Sequence, residues 1–302
     1  MSEPKPSALH AWIEAMRLHT LPVSIAGVLT AAGCAAYYGA FHWLPFVICL
    51  LFAAGAQIVS NFANEYFDYK NGLDRKGREG FRRGVTEGDI TPRAMRNATF
   101  GLLAAVCLLG CSLIYWGGWW LIAVGVAVAL FAIGYSAGPY PLSHHGLGEI
   151  AVVIFFGLVP VELTTYLQTL SWSMMPVTLP LSLAIGLMGA NVLVVNNYRD
   201  ETDDRAAGKK TLAVRFGPRA MQWLYLANGF AALLCIEWAT ALRIPYIWQI
   251  GALVYINLHY LNWTRLRTYE GSELNDVLAR TAKLMLLAAA WLVAALAVNH
   301  IC

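Results

Sequence analysis

Charge is what this sequence has little of. Only 13% of its 302 residues are Asp, Glu, Lys or Arg, against about 25% in an average soluble domain. None of the four occurs from 97 to 148, from 163 to 198, from 244 to 264 or from 284 to 302. Cysteine is sparse and unpatterned. The six (Cys34, Cys49, Cys107, Cys111, Cys235 and Cys302) form no CxxC and have no His at ligand spacing. Most lie inside apolar runs, which leaves them as small packing residues rather than disulfide partners or metal ligands. The first sixteen residues are polar and mixed in charge. No small-residue cleavage site follows them, so no cleavable signal peptide is apparent. The net charge of +3 is small, and no nucleic-acid partner is expected.

What is there is apolar. Hydrophobic residues make up 58% of the chain and the mean hydropathy is +0.54. That is too much apolar surface for one water-soluble core, so lipid must cover much of it. A spanning helix needs about 20 apolar residues, and backbone groups in lipid must be satisfied within the segment. The spacing predicts nine spans: 18–40, 43–67, 95–117, 119–137, 148–168, 175–198, 218–241, 246–266 and 277–299. The fold expected is an all-α polytopic membrane protein, one domain over 1–302.

Basic residues sort the loops. Lys70, Arg75, Lys76, Arg78, Arg82, Arg83 and Arg93 follow the second span, and Arg199, Arg205, Lys209, Lys210 and Arg215 follow the sixth. Arg267 and Arg280 lie between the last two. The alternate loops carry none, or only Arg243. Positive charge marks the cytoplasmic side, which puts the N-terminus in the cytoplasm and the C-terminus across the membrane. A bacterial inner (cytoplasmic) membrane is the expected location.

An internal repeat lies at two of the cytoplasmic ends. Asn64-Glu65-Tyr66-Phe67-Asp68 and Asn196-Asn197-Tyr198-Arg199-Asp200 both read N-x-Y-x-D, four spans apart. The chain reads as two four-helix halves, 18–137 and 148–266, plus a final helix at 277–299, with a site between the halves. Asn61, Asn64 and Asp68 share one helix face, with Asp74 beyond; Asn196, Asp200 and Asp204 share another. Each helix end thus carries a column of oxygen ligands beside a basic segment. Mg²⁺ takes such ligands together with substrate phosphates. Arg and Lys stabilise the charge that a departing diphosphate develops. The implied substrate has a diphosphate head and a long hydrocarbon tail.

These residues carry a resemblance. The pieces R17-LHTLPVSIAGVLTAAG, N61-FANEYFDYKNGLD, Y135-SAGPYPLSHHGLGE and N196-NYRDETDDRAAGKKTLAVRFG resemble the UbiA superfamily of intramembrane prenyltransferases. D68-YKNGLD with the following REGFRRGVTEGDITP looks like the menaquinone-pathway branch. The resemblance implies nine helices around a central cavity capped by the two Asp motifs. It implies Mg²⁺ held by Asn64, Asp68, Asp200 and Asp204, and a polyprenyl group passed to 1,4-dihydroxy-2-naphthoate with loss of CO₂ and diphosphate, giving demethylmenaquinone. Superfamily members often carry Asp where this chain has Gly72; Asp74 is expected to substitute.

Asp68, Asp200, Lys209 and Arg215 are therefore the expected catalytic residues. Arg17, Asn61, Arg75, Lys76, Arg78, Arg82, Arg83, Asn196, Asn197 and Lys210 are expected to hold substrate. Tyr66, Tyr135, Tyr140 and Tyr198 could stabilise a carbocation by cation–π contact, or be interfacial belt residues. Glu162, Glu237 and the pair His144-His145 have no assigned role. Two other readings share these features: prenylation of another ring such as 4-hydroxybenzoate, and a transporter. Transporters place charge near the midplane, whereas here it caps the helix ends.

Overall fold

The computed structural model describes residues 6–76, 80–241 and 243–299, and within them every regular element is helical. Arg78 lies outside the described residues.

Helix α1 (Ala8–Met16) ends at Arg17, which takes the left-handed conformation (φ 50°, ψ 56°). A 3₁₀ turn leads into α2 (Leu21–Tyr37), whose first turn holds Pro22. Helix α3 (Trp43–Lys70) has 28 residues, about 42 Å at 1.5 Å per residue. That exceeds a hydrocarbon core of about 30 Å, so α3 is long enough to cross with turns to spare. The short α4 (Gly84–Glu87) precedes α5 (Pro92–Gly117) and α6 (Leu121–Gly134). Helix α7 (Gly148–Thr169) winds as a π-helix over Val153–Leu158, just before Pro160. Then come α8 (Met175–Arg199), α9 (Glu201–Ala206), α10 (Leu212–Thr240), α11 (Gln249–Thr268) and α12 (Leu274–Val298).

Each expected span falls on one of these helices. Among the described residues six stretches are long and apolar enough to cross a membrane: Ala8–Tyr37, α3, α5, α7, α8 and Gly271–Val298. The other three differ for visible reasons. Helix α6 is apolar but has only 14 residues. Helix α10 carries Arg215, Arg219 and Glu237 and breaks at Gly217-Pro218. Helix α11 ends in Arg265 and Arg267.

Helix α8 is the axis of the bundle and packs against α2, α7, α10 and α12. Small residues permit this. A Cβ on Gly157 of α7 would stand 2.4 Å from the Ser182 carbonyl oxygen and 2.6 Å from Gly186 Cα of α8. In lipid, association rests on such close backbone approach rather than on the hydrophobic effect. The side chains of α8 and α10–α12 fill one continuous core that includes Leu181, Ile185, Tyr225, Leu278 and Leu292.

The two ends of the bundle differ. Trp43, Tyr115, Trp119, Trp172, Trp238 and Tyr246 are all exposed. They sit at or beside the loops poor in Lys and Arg, which is the aromatic signature of a membrane interface. The acidic motifs occupy the opposite end.

Candidate active site

Two helix stops build the site, and both use glycine. At the end of α3, Gly72 adopts φ +68°; the Leu73 N–H donates to the Asp68 carbonyl at 2.9 Å and the Gly72 N–H to that of Tyr69 at 3.1 Å. At the end of α9, Gly208 adopts φ +75°; the Lys209 N–H donates to the Asp204 carbonyl at 2.9 Å and the Gly208 N–H to that of Arg205 at 3.1 Å. Both are Schellman caps, which need a residue tolerant of positive φ. Gly72, standing where an aspartate is common, is thus the residue that stops the helix and turns Asp74 back. The caps also pair Asp68 with Asp204, although the sequence repeat aligns Asp68 with Asp200. Asp200 is instead the break between α8 and α9, so the Asn196–Asp200–Asp204 column is bent rather than straight.

The two caps meet at Lys209. Its Nζ lies 3.2 Å from Asp68 Oδ2 and 3.5 Å from Asp204 Oδ1. Asp68 and Asp204 are buried, at 1% and 8% exposure. Burial alone would lower the Lys209 pKa, but Asp68, Asp204 and Asp74 together raise it above the ordinary lysine value, so it stays charged. His144 Nε2 stands 3.7 Å from Asp68 Oδ1. Arg83 Nε lies 3.5 Å from Asp74 Oδ2, and the buried Arg83 Nε and Nη1 have no hydrogen-bond partner among the described residues. Asp200 is held by Arg199, through Nε at 2.7 Å and Nη2 at 2.9 Å. Arg199 also reaches Asn196 Oδ1 at 2.9 Å and Asn275 Oδ1 at 2.7 Å and lies over the Phe81 ring. Tyr135 is within electrostatic range of Asp68, Asp204 and Glu149.

Other expected residues face elsewhere. Asn61 Nδ2 donates to the Met16 carbonyl at 2.9 Å and to Thr20 Oγ1 at 3.2 Å; it pins the left-handed turn at Arg17 rather than pointing at the acids. Arg17 is within electrostatic range of the fully buried Glu65. Arg82 pairs with Asp89 at 2.8 Å. Arg75 pairs with Asp203 at the rim. Arg215 is exposed and donates to the His145 carbonyl at 3.0 Å. Lys76 and Lys210 are exposed. Tyr66 packs into an apolar cluster with Ala11, Val85 and Met95. The Tyr140 ring stacks on His145, the Tyr198 hydroxyl accepts from Gln222 at 3.0 Å, and Asn197 donates to Glu149 at 2.9 Å. Arg199, Glu65 and His144 are central to the geometry and were not among the expected site residues. Arg199 fills the variable place of the second N-x-Y-x-D motif, where Phe67 stands in the first; that contrast and its place at the head of the basic segment after the sixth span were its signals.

A cavity of about 260 Å³ opens among α2, α3, α5, α6 and α7. Its wall is almost wholly apolar, with Val28, Phe52, Leu121, Phe131, Phe156 and Leu167 among its residues. It reaches up α3 to Gln57 and Ser60, one turn short of Asn64. The cluster of Asp68, Asp204 and Lys209 thus lies beyond one end of the chamber, two turns of α3 past Ser60. The chamber is walled by α2, α3, α5 and α6 of the first half and by α7 of the second.

A charged lid over an apolar chamber suits an amphiphilic phosphate, and comparison with known proteins decides the family. Residues 24–287 match the UbiA prenyltransferase family. The chain belongs to that family. Among UbiA relatives, the 1,4-dihydroxy-2-naphthoate octaprenyltransferase of Haemophilus influenzae is 34% identical over 299 residues, covering 92% of this chain and 93% of that one. The enzyme of the same name from Escherichia coli is 32% identical, covering 82% of each chain. The solved UbiA homolog from Archaeoglobus fulgidus bound to GPP and Mg²⁺ superposes with a TM-score of 0.68 at 16% identity, covering 95% of this chain and 99% of that one. The apo UbiA homolog from Aeropyrum pernix K1 gives 0.67, covering 96% and 98%. The fold is thus the UbiA fold.

Proposed function

We propose that this protein transfers a polyprenyl group from a polyprenyl diphosphate to 1,4-dihydroxy-2-naphthoate, releasing diphosphate and CO₂ on the route to menaquinone. The observation that carries the reading is the Lys209 bridge between Asp68 and Asp204, two turns of α3 beyond the apolar chamber. Relatives named for this reaction over most of their length support the choice of acceptor.

The donor set fits Mg²⁺. Asn64 Oδ1 and Asp68 Oδ1 are buried oxygens without hydrogen-bond partners among the described residues, and hard oxygen ligands suit that cation. No cluster of three acidic, His or Cys residues stands in metal-holding geometry among the described residues; Lys209 lies between Asp68 and Asp204, and Arg199 holds Asp200. Each carboxylate oxygen keeps a second lone pair, so pairing with a cationic side chain does not exhaust it. Asn64, Asp68, Asp74, Asp200 and Asp204 would hold the metal. When bound, it would neutralise diphosphate charge as the allylic C–O bond breaks.

The chain's own residues do the rest. Lys209 and Arg83 present buried positive charge to the leaving diphosphate. The chamber takes the hydrocarbon tail and keeps water from the allylic carbon. The ring carbon bearing the carboxylate attacks that carbon. The electron pair of the C–CO₂ bond then returns to the ring as CO₂ leaves, so no ring proton has to be removed. We further propose nine membrane crossings, a cytoplasmic N-terminus, and the inner membrane as the location. The test is transfer by purified protein with Mg²⁺ and a polyprenyl diphosphate, offered the dihydroxynaphthoate or 4-hydroxybenzoate. The reading predicts prenylated, decarboxylated naphthoquinol; product only from 4-hydroxybenzoate would overturn the choice of acceptor.

A further inference from the structure

The side-chain carbonyl of Gln57 is a buried acceptor with nothing to accept from. Gln57 lies on α3, one turn before Asn61 and two before Asn64, and is 9% exposed. It borders the apolar chamber. Its neighbours fix which way round its amide lies. Asn61 Nδ2 donates to the Met16 carbonyl, which can only accept. Asn61 Oδ1 is therefore turned to Gln57, whose Nε2 donates to it at 3.2 Å and to Thr20 Oγ1 at 3.3 Å. Exchanging the nitrogen and oxygen of Gln57 would set two carbonyl oxygens against each other. Oε1 therefore takes the remaining place, where it is shielded from solvent and has no hydrogen-bond partner among the described residues. A polar group left unpaired in such surroundings is costly.

Its place on α3 suggests what fills the gap. Eleven residues separate Gln57 from Asp68, a drop of about 16 Å along the helix axis. A diphosphate held at Asp68, with its tail entering the chamber, leaves room for a fused ring system between the two levels. The surrounding wall is apolar, and a prenyl tail has no hydrogen-bond donor. The donor must come from the other substrate. A neutral carbonyl suits a hydroxyl and not a carboxylate, which would itself bring only acceptors.

We propose that Gln57 Oε1 accepts a hydrogen bond from a ring hydroxyl of the aromatic acceptor, fixing the orientation of that ring beneath the diphosphate. The Thr20–Asn61–Gln57 chain makes this a pre-set acceptor rather than a mobile one. The hydrogen bond also draws the hydroxyl proton toward Gln57 and leaves the ring more electron-rich. The inference rests on the aromatic-acceptor reading above.

The test is binding, read separately from turnover. Wild-type protein and Gln57→Met, purified in nanodiscs, are titrated with 1,4-dihydroxy-2-naphthoate and with 1-hydroxy- and 4-hydroxy-2-naphthoate, each of which lacks one hydroxyl. Loss of one of the two hydroxyls should weaken binding to the wild type about tenfold, the factor equivalent to 1.4 kcal/mol. The same loss should cost Gln57→Met less than about twofold, because the partner is already gone. Affinity for geranyl diphosphate with Mg²⁺ should stay within about twofold in the variant. Equal hydroxyl dependence in both proteins would overturn the proposal and leave Gln57 to a bound water only. Should Gln57→Met not fold, the wild-type series decides: indifference to both hydroxyls overturns the proposal, and a tenfold loss for one upholds it. Wild-type protein that binds geranyl diphosphate but none of the naphthoates would instead overturn the acceptor reading, and this inference with it.

Discussion

Lys209 Nζ and Asp68 Oδ2 lie 3.2 Å apart although 141 residues separate them in the chain. This ammonium touches both capped helix ends, Asp68 and, at 3.5 Å, Asp204. Two buried carboxylates would repel each other without it. Lys209→Met should therefore destabilise the metal-free protein by about 3 kcal/mol, the usual order for breaking a buried ion pair. Prenyl transfer should fall about 10²-fold. The revealing measurement is Tm with and without Mg²⁺. The cation should raise Tm more in the variant, where it relieves bare acids, than in the wild type.

The caps make a second prediction. Gly208 holds φ +75° so that the chain can swing Lys209 back over Asp204. A β-branched residue is strained there. Gly208→Val should cost about 1–2 kcal/mol in stability. It should also lower kcat further than Gly208→Asn, because Asn tolerates the left-handed region. Steady-state kinetics on the pair checks this.

Much of this was readable in the chain. The long apolar runs between charged blocks fall on helices, since lipid forces backbone groups to pair within a segment, whereas the short α1, α4 and α9 were not expected. Asn64 and Asp68 share a face because i, i+4 spacing survives within α3, whereas the second column bends at Asp200. Three things were not visible. The Schellman turn at Gly72 reads in sequence as a missing aspartate. The partners of Arg82, Asn61 and Tyr198 are Asp89, the Met16 carbonyl and Gln222, and such tertiary pairings leave no periodic trace. The position of the chamber depended on how α2, α3, α5, α6 and α7 pack against one another, and apolar runs carry no mark of that.

The contact between α7 and α8 admits no side chain at Gly157. A Cβ there would meet the Ser182 carbonyl at 2.4 Å. Gly157→Val should cost about 3 kcal/mol, at the upper end of overpacking penalties, and should lower the yield of folded protein. Gly125→Val should leave Tm within about 1 °C, since nothing lies within 4 Å of a Cβ there. Thermal unfolding in detergent separates the two.

The chamber sets what tail can enter. Ala56 lines it one residue from Gln57. Ala56→Phe adds bulk near the mouth and should raise the KM for long polyprenyl diphosphates about tenfold while sparing geranyl diphosphate. Competition between the two donors, read by product chain length, checks the outcome.

We propose that Asp68 and Asp204 are the two jaws of one diphosphate grip. Prenyl transfer at saturating Mg²⁺ by Asp68→Asn, Asp204→Asn and the double variant tests it most directly. Each single change should lower kcat/KM by at least about 10²-fold, and the double should be little worse than either, because residues acting as one unit are not additive. Near-wild-type transfer by either single variant, or losses that simply multiply in the double, would contradict the account.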